Sequence, residues 1–315
     1  MTPPKIYGLI GYPVKHSLSP LMHNAAFCAR KINAEYKLFE IKPEDLEDFL
    51  LEDISVKDIN GKTIRTKDIL GFNITIPHKV RAREILEKKS PFDKDAPQML
   101  DASYYVKLTG AINTVKREGN ELRYWNTDAT GFLRSLKEVL EFEPKGKKVL
   151  VIGCGGAGRA IIASLSWINV GIEKIYINDI DAKAINSAKE HFSQLPQFPH
   201  LKDKLEFIPT DDMPKAIKNC DLLVNTSPVG MKGEDISVVD RNLLHKELYV
   251  YDVVYNRNTE TRLVKDAKSL GLPVADGLSM LLYQGIDAFE LWMAPMRAPV
   301  EVMRQALNEA SLSCR

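Results

Sequence analysis

The stretch Lys147-Lys-Val-Leu-Val-Ile-Gly-Cys-Gly-Gly-Ala-Gly158 constrains this chain more than any other. Val149 to Ile152 is a short unbroken apolar run, the mark of a strand buried on both faces of a parallel sheet. Directly after it, Gly153, Gly155 and Gly158 fall at G-x-G-x-x-G spacing, and Arg159 to Leu165 reads as a helix. A dinucleotide pyrophosphate needs that succession: a tight turn, close backbone approach, and free N–H groups at a helix N-terminus. The spacing alone is weak evidence, because a plain glycine turn also produces it. The flanking strand and helix make it specific.

Strands and helices alternate on both sides of this loop. Residues 6–10, 36–41 and 69–77 read as strands, with helices at 21–31, 43–51 and 78–89. Ser19 before Pro20 predicts an N-cap with proline at the first helical position. Residues 52–68 predict a surface hairpin around Asn60-Gly61, and residues 90–103 a second excursion. Residues 109–115 and 122–126 predict two further strands added antiparallel, and 129–140 a helix leading to the glycine loop. Beyond the loop, strands are expected at 175–179, 205–208, 221–225, 249–255 and 273–275. A helix at 260–270 stops at Gly271, and the chain is helical after Gly277, with one break at 295–299. The pattern predicts an α/β fold of two domains with a cleft between them. Residues 1–127 plus 277–315 would form a mostly parallel-sheet substrate-binding domain, and residues 128–276 a Rossmann-type dinucleotide-binding domain. Hinges are expected near 126–129 and 275–278.

Composition excludes several function classes. Lys plus Arg number 43 and Asp plus Glu 42, a net charge of +1, so no global field draws the chain to nucleic acid or an anionic membrane. No apolar run approaches the ~20 residues of a membrane span, and the N-terminus lacks a signal-peptide core. Cys28, Cys154, Cys220 and Cys314 lie far apart without C-x-x-C pairing, so no metal site is expected and reduced thiols in a cytoplasmic protein are.

The first sheet carries no second glycine fingerprint, which makes it the substrate half. Its strand ends carry Ser17 and Ser19, then Asn73 and Thr75 with Lys79, then Asn113. In open α/β sheets ligands sit at the carboxyl ends of strands, and hydroxyls, amides and one lysine suit a small hydroxylated acid. Each residue taken singly also has a structural reading: Ser19 as a cap, Asn113 as part of a turn, Lys79 as a solvated helix lysine.

Seven separated motifs carry a resemblance. They are Gly11-Tyr-Pro-Val-Lys-His-Ser-Leu-Ser-Pro-Leu-Met-His-Asn24, Asn73-Ile-Thr-Ile-Pro-His-Lys79, Gly110-Ala-Ile-Asn-Thr114, Asn126-Thr-Asp128, Asn225-Thr-Ser227, Tyr251-Asp-Val-Val-Tyr255 and Asp276-Gly-Leu-Ser-Met-Leu-Leu-Tyr-Gln284. In this order they resemble the shikimate dehydrogenase family, from about residue 5 to 290, with extra residues at 52–68 and 90–103. The resemblance implies NAD(P)-linked interconversion of shikimate and 3-dehydroshikimate, a step of aromatic amino acid biosynthesis. It implies that Ser17 and Ser19 hold the substrate carboxylate, and that Asn73, Thr75, Asn113, Tyr255 and Gln284 hold its hydroxyls. Lys79 and Asp128 would be the catalytic pair, Asp128 also touching substrate. Gly153, Gly155, Gly156, Ala157 and Gly158, with Thr226, Val253, Gly277 and Met280, would bind the dinucleotide. The chemistry agrees with that pair: hydride delivery to a ketone develops negative charge on oxygen, a lysine ammonium can donate the proton, and a carboxylate can orient it.

Asn178, Asp179 and Lys183 bear on which dinucleotide binds. Asp179 lies 21 residues past Gly158, near the spacing at which an acid meets the adenosine ribose. Many relatives place Asn-Arg-Thr here, the arginine clamping a 2′-phosphate, and the family default is NADP(H). Asp179 instead accepts from a free 2′-hydroxyl and repels a phosphate, which leans to NAD(H), with Lys183 a partial offset. A simple helix cap is the alternative role for Asp179. Three other readings compete: an NAD-dependent quinate/shikimate dehydrogenase, a non-catalytic ligand sensor of the same fold, and a folate-linked dehydrogenase of similar layout. Retention of Lys79 and Asp128 argues against the sensor, and the Ser-x-Ser and Asn-Thr-Asp motifs against the folate enzyme. Expected partners are the small-molecule substrate, with no nucleic acid or membrane, in a monomer or homodimer.

Overall fold

Two series of buried strands build two sheets, described by a computed structural model over residues 2–89, 104–167, 170–195, 198–232, 236–256 and 259–312. The excursion expected at 90–103 lies outside these residues. The chain divides into two compact units, Met1–Thr127 with Gln284–Arg315, and Asp128–Tyr283.

The first unit contains β1 (Lys5–Gly11), α1 (Ser19–Ala29), β2 (Ala34–Glu40), α2 (Leu46–Leu51), β3 (Ser55–Lys57), β4 (Thr63–Arg65), β5 (Ile69–Ile74), α3 (Lys79–Lys89), α4 (Tyr104–Thr109), β6 (Thr114–Glu118) and β7 (Glu121–Trp125). Its main sheet has the order β2-β1-β5-β6-β7. β1 runs parallel to β2 and β5, while β6 pairs antiparallel with β5 and β7. Both faces are covered. Phe39, Phe49, Phe72, Ile85 and Leu86 form a core on one side. On the other, Tyr7 packs at 5.3 Å from both Phe27 and Trp292. The hairpin β3–β4 forms its own two-stranded sheet and docks on β2, a sheet edge that would otherwise offer unpaired backbone groups. Ile59 N–H donates to the Leu38 carbonyl at 3.0 Å, and Lys37 Nζ reaches buried Asp58 at 3.1 Å.

The second unit starts with α5 (Asp128–Glu138) and continues through β8 (Lys148–Ile152), α6 (Gly156–Leu165), β9 (Lys174–Asn178), α7 (Ala182–Ser193), α8 (Phe198–Leu201), β10 (Leu205–Phe207), α9 (Met213–Asn219), β11 (Leu222–Asn225), β12 (Tyr249–Asp252), α10 (Arg262–Ser269) and β13 (Val274–Ala275). α11 (Gly277–Met293) crosses the division at Tyr283, and α12 (Val300–Leu312) follows in the first unit. Its six strands are all parallel in the order β10-β9-β8-β11-β12-β13. Counted within this unit the order is 3-2-1-4-5-6, the doubly wound arrangement with its reversal beside β8.

Two local expectations need correction. Residues 109–113 are not strand: a short helix, α4, occupies 104–109, and the strand begins at Thr114. Ser19 does not cap α1. It is the first helical residue, its side chain makes no cap, and its own N–H donates to Ser17 Oγ at 3.2 Å. Among the described residues no helix is long and apolar enough to cross a membrane.

Gly71 on β5 shows how tightly the first sheet is covered. A Cβ there would lie 2.6 Å from Nε1 of Trp292, whose indole N–H donates to the Val115 carbonyl at 2.8 Å. Gly71→Ala is expected to displace that ring and to lower unfolding stability by about 1–3 kcal/mol. Chemical denaturation of both proteins checks this, and an unchanged midpoint would show that the ring yields freely.

Candidate active site

In the first unit the carboxyl ends of β1, β2 and β5 are drawn together by backbone bonds. Tyr12 N–H donates to the Ile76 carbonyl at 3.0 Å, Ile41 N–H to Gly11 at 3.1 Å, and Thr75 N–H to Ile10 at 2.9 Å. Only a glycine fits at position 11, since a Cβ would sit 2.4 Å from Thr75 Cγ2. Buried His78 donates from Nε2 to the Ile41 carbonyl at 2.7 Å, while burial, only partly opposed by that bond, pushes its pKa down. It fixes the start of α3, whose first residue is Lys79, half-buried. The Ser17 and Ser19 hydroxyls lie 3.1 Å apart.

Beside these groups lies a buried amide network. Asn73 Nδ2 donates to the Asn113 carbonyl at 3.2 Å and to Thr114 Oγ1 at 3.0 Å, and Asn73 Oδ1 accepts from the Tyr36 hydroxyl at 2.8 Å. Asn113 Oδ1 accepts from Thr127 N–H at 2.7 Å, and its Nδ2 donates to Thr127 Oγ1 at 2.9 Å and to Gln284 Oε1 at 3.4 Å. Asn73, Asn113 and Gln284, far apart in sequence, are thus brought into one cluster. Thr127 carries it to Asp128, the buried first residue of α5. Asn126 serves the frame: its Nδ2 donates to Thr109 Oγ1 at 3.1 Å and to the Ala111 carbonyl at 3.0 Å. Tyr36, Thr114 and Thr127 were not singled out as site residues. Thr127, inside the Asn-Thr-Asp motif, and Thr114, at the end of Gly110-Ala-Ile-Asn-Thr114, gave a sequence signal; Tyr36 gave none.

In the second unit the glycine loop has the shape its spacing predicts. Gly153 has φ +98°, and a Cβ on it would lie 2.6 Å from Thr226 Oγ1. A Cβ on Gly158 would lie 2.1 Å from the Gly153 carbonyl, so the helix can sit this close only without a side chain. The Thr226 hydroxyl closes the turn on the Ile152 and Gly153 carbonyls, both 2.9 Å away. Gly155 faces open space, with nothing within 4 Å of where its Cβ would be. A locked turn, an open middle glycine and the start of α6 at Gly156 and Ala157 make a cradle that fits a pyrophosphate.

Asp179 borders that cradle. Its Oδ2 accepts from Cys154 N–H at 2.8 Å, and its Oδ1 from Asp181 N–H at 2.9 Å. Asp181, not Asp179, caps α7, accepting from Lys183 N–H at 2.8 Å. Lys183 is exposed in the first turn. Asn178 turns its amide to β10's end, donating to the Ile208 carbonyl at 3.1 Å. Gly277 packs against β12, where a Cβ would lie 1.9 Å from the Val253 carbonyl, and Met280 is buried one turn on. Val253 and Tyr255 are half-buried on the segment after β12. Among the described residues no group of three His, Cys, Asp or Glu could hold a metal ion.

Asp252 anchors that segment and was missed as an individual residue. Fully buried, it accepts from Asn225 Nδ2 at 2.9 Å, Thr261 Oγ1 at 2.6 Å and Val254 N–H at 3.1 Å. Burial pushes its pKa up to about 6 despite these bonds. The fold therefore favours the neutral acid: the stability this adds is fully present below the ordinary carboxylate range and lost as pH rises through about 6. Asp252→Asn is expected to lack that loss, so above pH 7 it gains on the wild type by about 2–3 kcal/mol. Denaturation curves of both proteins from pH 4.5 to 8 check the sign; parallel profiles would refute it.

Comparisons with known proteins agree with this geometry. Residues 9–92 match the profile of the shikimate dehydrogenase substrate binding domain, and residues 277–307 that of the shikimate 5′-dehydrogenase C-terminal domain. The shikimate dehydrogenase (NADP(+)) of Methanopyrus kandleri is 36% identical over 306 residues, covering 96% of this chain and 95% of that one. A crystal structure of a shikimate dehydrogenase in complex with NADP+ superposes with a TM-score of 0.77 at 30% identity, over 97% of this chain and 95% of that one. Quinate dehydrogenase from Corynebacterium glutamicum in complex with NAD gives 0.73 at 25% identity, over 98% and 100%. At 36% identity over nearly the whole of both chains, the chain belongs to the shikimate dehydrogenase family.

Proposed function

We propose that this oxidoreductase acts on a CH–OH group of shikimate, interconverting it reversibly with 3-dehydroshikimate. The observation that carries the reading is the buried cluster joining Asn73, Asn113 and Gln284, in the same unit as the paired hydroxyls of Ser17 and Ser19. Hydroxyl donors suit a carboxylate, and fixed amides suit ring hydroxyls. The unit Met1–Thr127 with Gln284–Arg315 is the substrate-binding part, and Asp128–Tyr283 the dinucleotide-binding part.

When bound, the nicotinamide dinucleotide supplies or accepts the hydride. Gly153 to Gly158 would hold its pyrophosphate, with Thr226, Val253, Gly277 and Met280 around the rest. Ser17 and Ser19 anchor the substrate carboxylate. Asn73, Thr75, Asn113, Tyr255 and Gln284 orient the ring through its hydroxyls. Lys79 Nζ gives a proton to the oxygen that gains charge in reduction and takes it back in oxidation, and Asp128 orients that ammonium. Lys79→Ala is expected to lower kcat by about 10²–10⁴-fold with KM for shikimate within about threefold of wild type. Equal losses in kcat and in substrate binding would reduce Lys79 to a binding residue.

Asp179 supports NAD(H) over NADP(H). Each carboxylate oxygen accepts one backbone N–H and Oδ2 also the Cys154 thiol at 3.5 Å, so a carboxylate with about four acceptor positions keeps room for a ribose hydroxyl on Oδ1. A 2′-phosphate there meets a like charge held in place. The M. kandleri relative is named for NADP(+), and this reading gives the present chain the other preference. The same residue favours the second reading, an NAD-linked quinate/shikimate dehydrogenase like the C. glutamicum structure. Initial rates for shikimate and quinate with NAD and with NADP decide among these. The expected kcat/KM favours NAD by tenfold or more, about 1.4 kcal/mol, and Asp179→Arg reverses the order. A strong wild-type preference for NADP overturns the argument from Asp179.

A further inference from the structure

His23 and Asn24 sit in the first motif, on α1 after the Ser17–Ser19 pair. Both act on one residue of the neighbouring strand, Tyr36. Asn24 holds its backbone from two sides: Oδ1 accepts from Tyr36 N–H at 2.8 Å, and Nδ2 donates to the Tyr36 carbonyl at 3.2 Å. His23 holds its ring, stacking on it at 4.5 Å with an interplanar angle of 12°. Both His23 ring nitrogens are buried without a hydrogen-bond partner in the protein, and burial pushes the pKa down to about 3. The imidazole is therefore a neutral aromatic plate at any working pH. Trp292, itself anchored to Val115, closes in on Tyr36 with centroids 6.1 Å apart. On α11, Gly285, next to Gln284, is what lets that helix approach: a Cβ there would lie 2.2 Å from Met22 Cε and 3.5 Å from His23 Nε2.

All this framing converges on one hydrogen bond, from the Tyr36 hydroxyl to Asn73 Oδ1 at 2.8 Å. The consequence for Asn73 follows from counting. An amide has two N–H donors and an oxygen with two lone pairs. Asn73 spends both donors, on Asn113 and Thr114, and one lone pair on Tyr36. What remains is a single acceptor position on Oδ1. An acceptor alone can receive a hydroxyl hydrogen, and it repels a carbonyl oxygen.

We infer that Tyr36 is a positioning residue for the reaction. Backed by His23 and Asn24, it fixes the Asn73 amide so that Asn73 meets the substrate only as an acceptor, and thereby selects a hydroxyl over a keto group at the carbon it faces. This rests on the reading of Asn73 as a substrate-binding residue. A purely structural Tyr36 predicts a different pattern of effects: a general loss of stability, spread over both substrates and independent of Asn73.

The test is a double-mutant cycle on the full chain, read by calorimetric titration with shikimate and by steady-state kinetics, with thermal melts alongside. Tyr36→Phe removes one oxygen and keeps the ring. It is expected to raise Kd and KM for shikimate about tenfold while KM for the dinucleotide moves less than about twofold. In the Asn73→Ala background the same change is expected to add nothing, because its target is gone. His23→Ala should weaken shikimate binding in the same direction, and His23→Phe, which restores an aromatic face, should rescue it. Wild-type affinity in Tyr36→Phe, or an equal tenfold loss with and without Asn73, overturns the assignment while leaving the shikimate reading intact. A wild type that neither binds nor turns over shikimate overturns that reading, and the role of Tyr36 with it.

Discussion

The first unit depends on Asn113. Its backbone N–H donates to Trp125 at 3.0 Å, and its carbonyl accepts from Ile74 N–H at 2.8 Å. Its side chain binds Thr127 by both amide atoms and reaches Gln284 on α11. One residue of 2% exposure therefore joins β5, β7, the approach to α5 and the returning helix. A buried amide left unpaired costs about 1–3 kcal/mol. Removing Asn113 would take from Thr127 N–H the acceptor 2.7 Å away, and one partner from Gln284. Both amide atoms of Asn113 are engaged by neighbours, so its side chain is held from more than one side.

That arrangement explains what the sequence could and could not reveal. The glycine loop was legible because its demands are local: a positive φ at Gly153 and a close approach at Gly158 leave no other residue possible, and the apolar run before it announces the strand. The two-domain α/β architecture follows from strand–helix alternation, which local patterning also carries, whereas the order of strands within each sheet does not. The Ser17–Ser19 and Asn73–Thr75 motifs were legible through resemblance. Tyr36 was not, since one aromatic residue in a strand reads as core, and its hydroxyl finds Asn73 only after β2, β1 and β5 have paired. Asp252 lies in a recognised motif, but its burial against Asn225 and Thr261 depends on strand order. The helix α4 failed for the opposite reason. Tyr-Tyr-Val-Lys-Leu-Thr is short and rich in strand-favouring residues, and Asn126 at the far end of β7 holds its terminus through Thr109.

The cap misassigned to Ser19 has a consequence for the chemistry. Had Ser19 capped α1, its oxygen would have been spent on the helix. In the structure Ser17 receives the Ser19 N–H instead, and the two hydroxyls stand 3.1 Å apart at the end of the loop from β1. Ser17 Oγ donates to Ser19 Oγ, and on the proposed reading this hydroxyl pair would meet the one charged end of the substrate, and the amides fixed by their neighbours its neutral hydroxyls.

The two units therefore recognise their ligands by different physical means. The cradle around Gly153 to Gly158 acts through backbone, with side chains excluded by contact distances as short as 2.1 Å, and so discriminates little beyond the presence of a pyrophosphate. On the proposed reading, choice between dinucleotides would fall to the carboxylate at its rim, Asp179, which accepts two backbone N–H groups. The amide cluster acts through side chains whose hydrogen-bonding capacity is nearly exhausted within the protein. An unsatisfied position is costly in such a setting, so a ligand that supplies the one missing partner gains and one that offers the wrong polarity loses twice, by repulsion and by leaving Asn73 Oδ1 short of a donor. On the proposed reading, selectivity for a polyhydroxylated acid would come from how few hydrogen-bonding positions the protein leaves open.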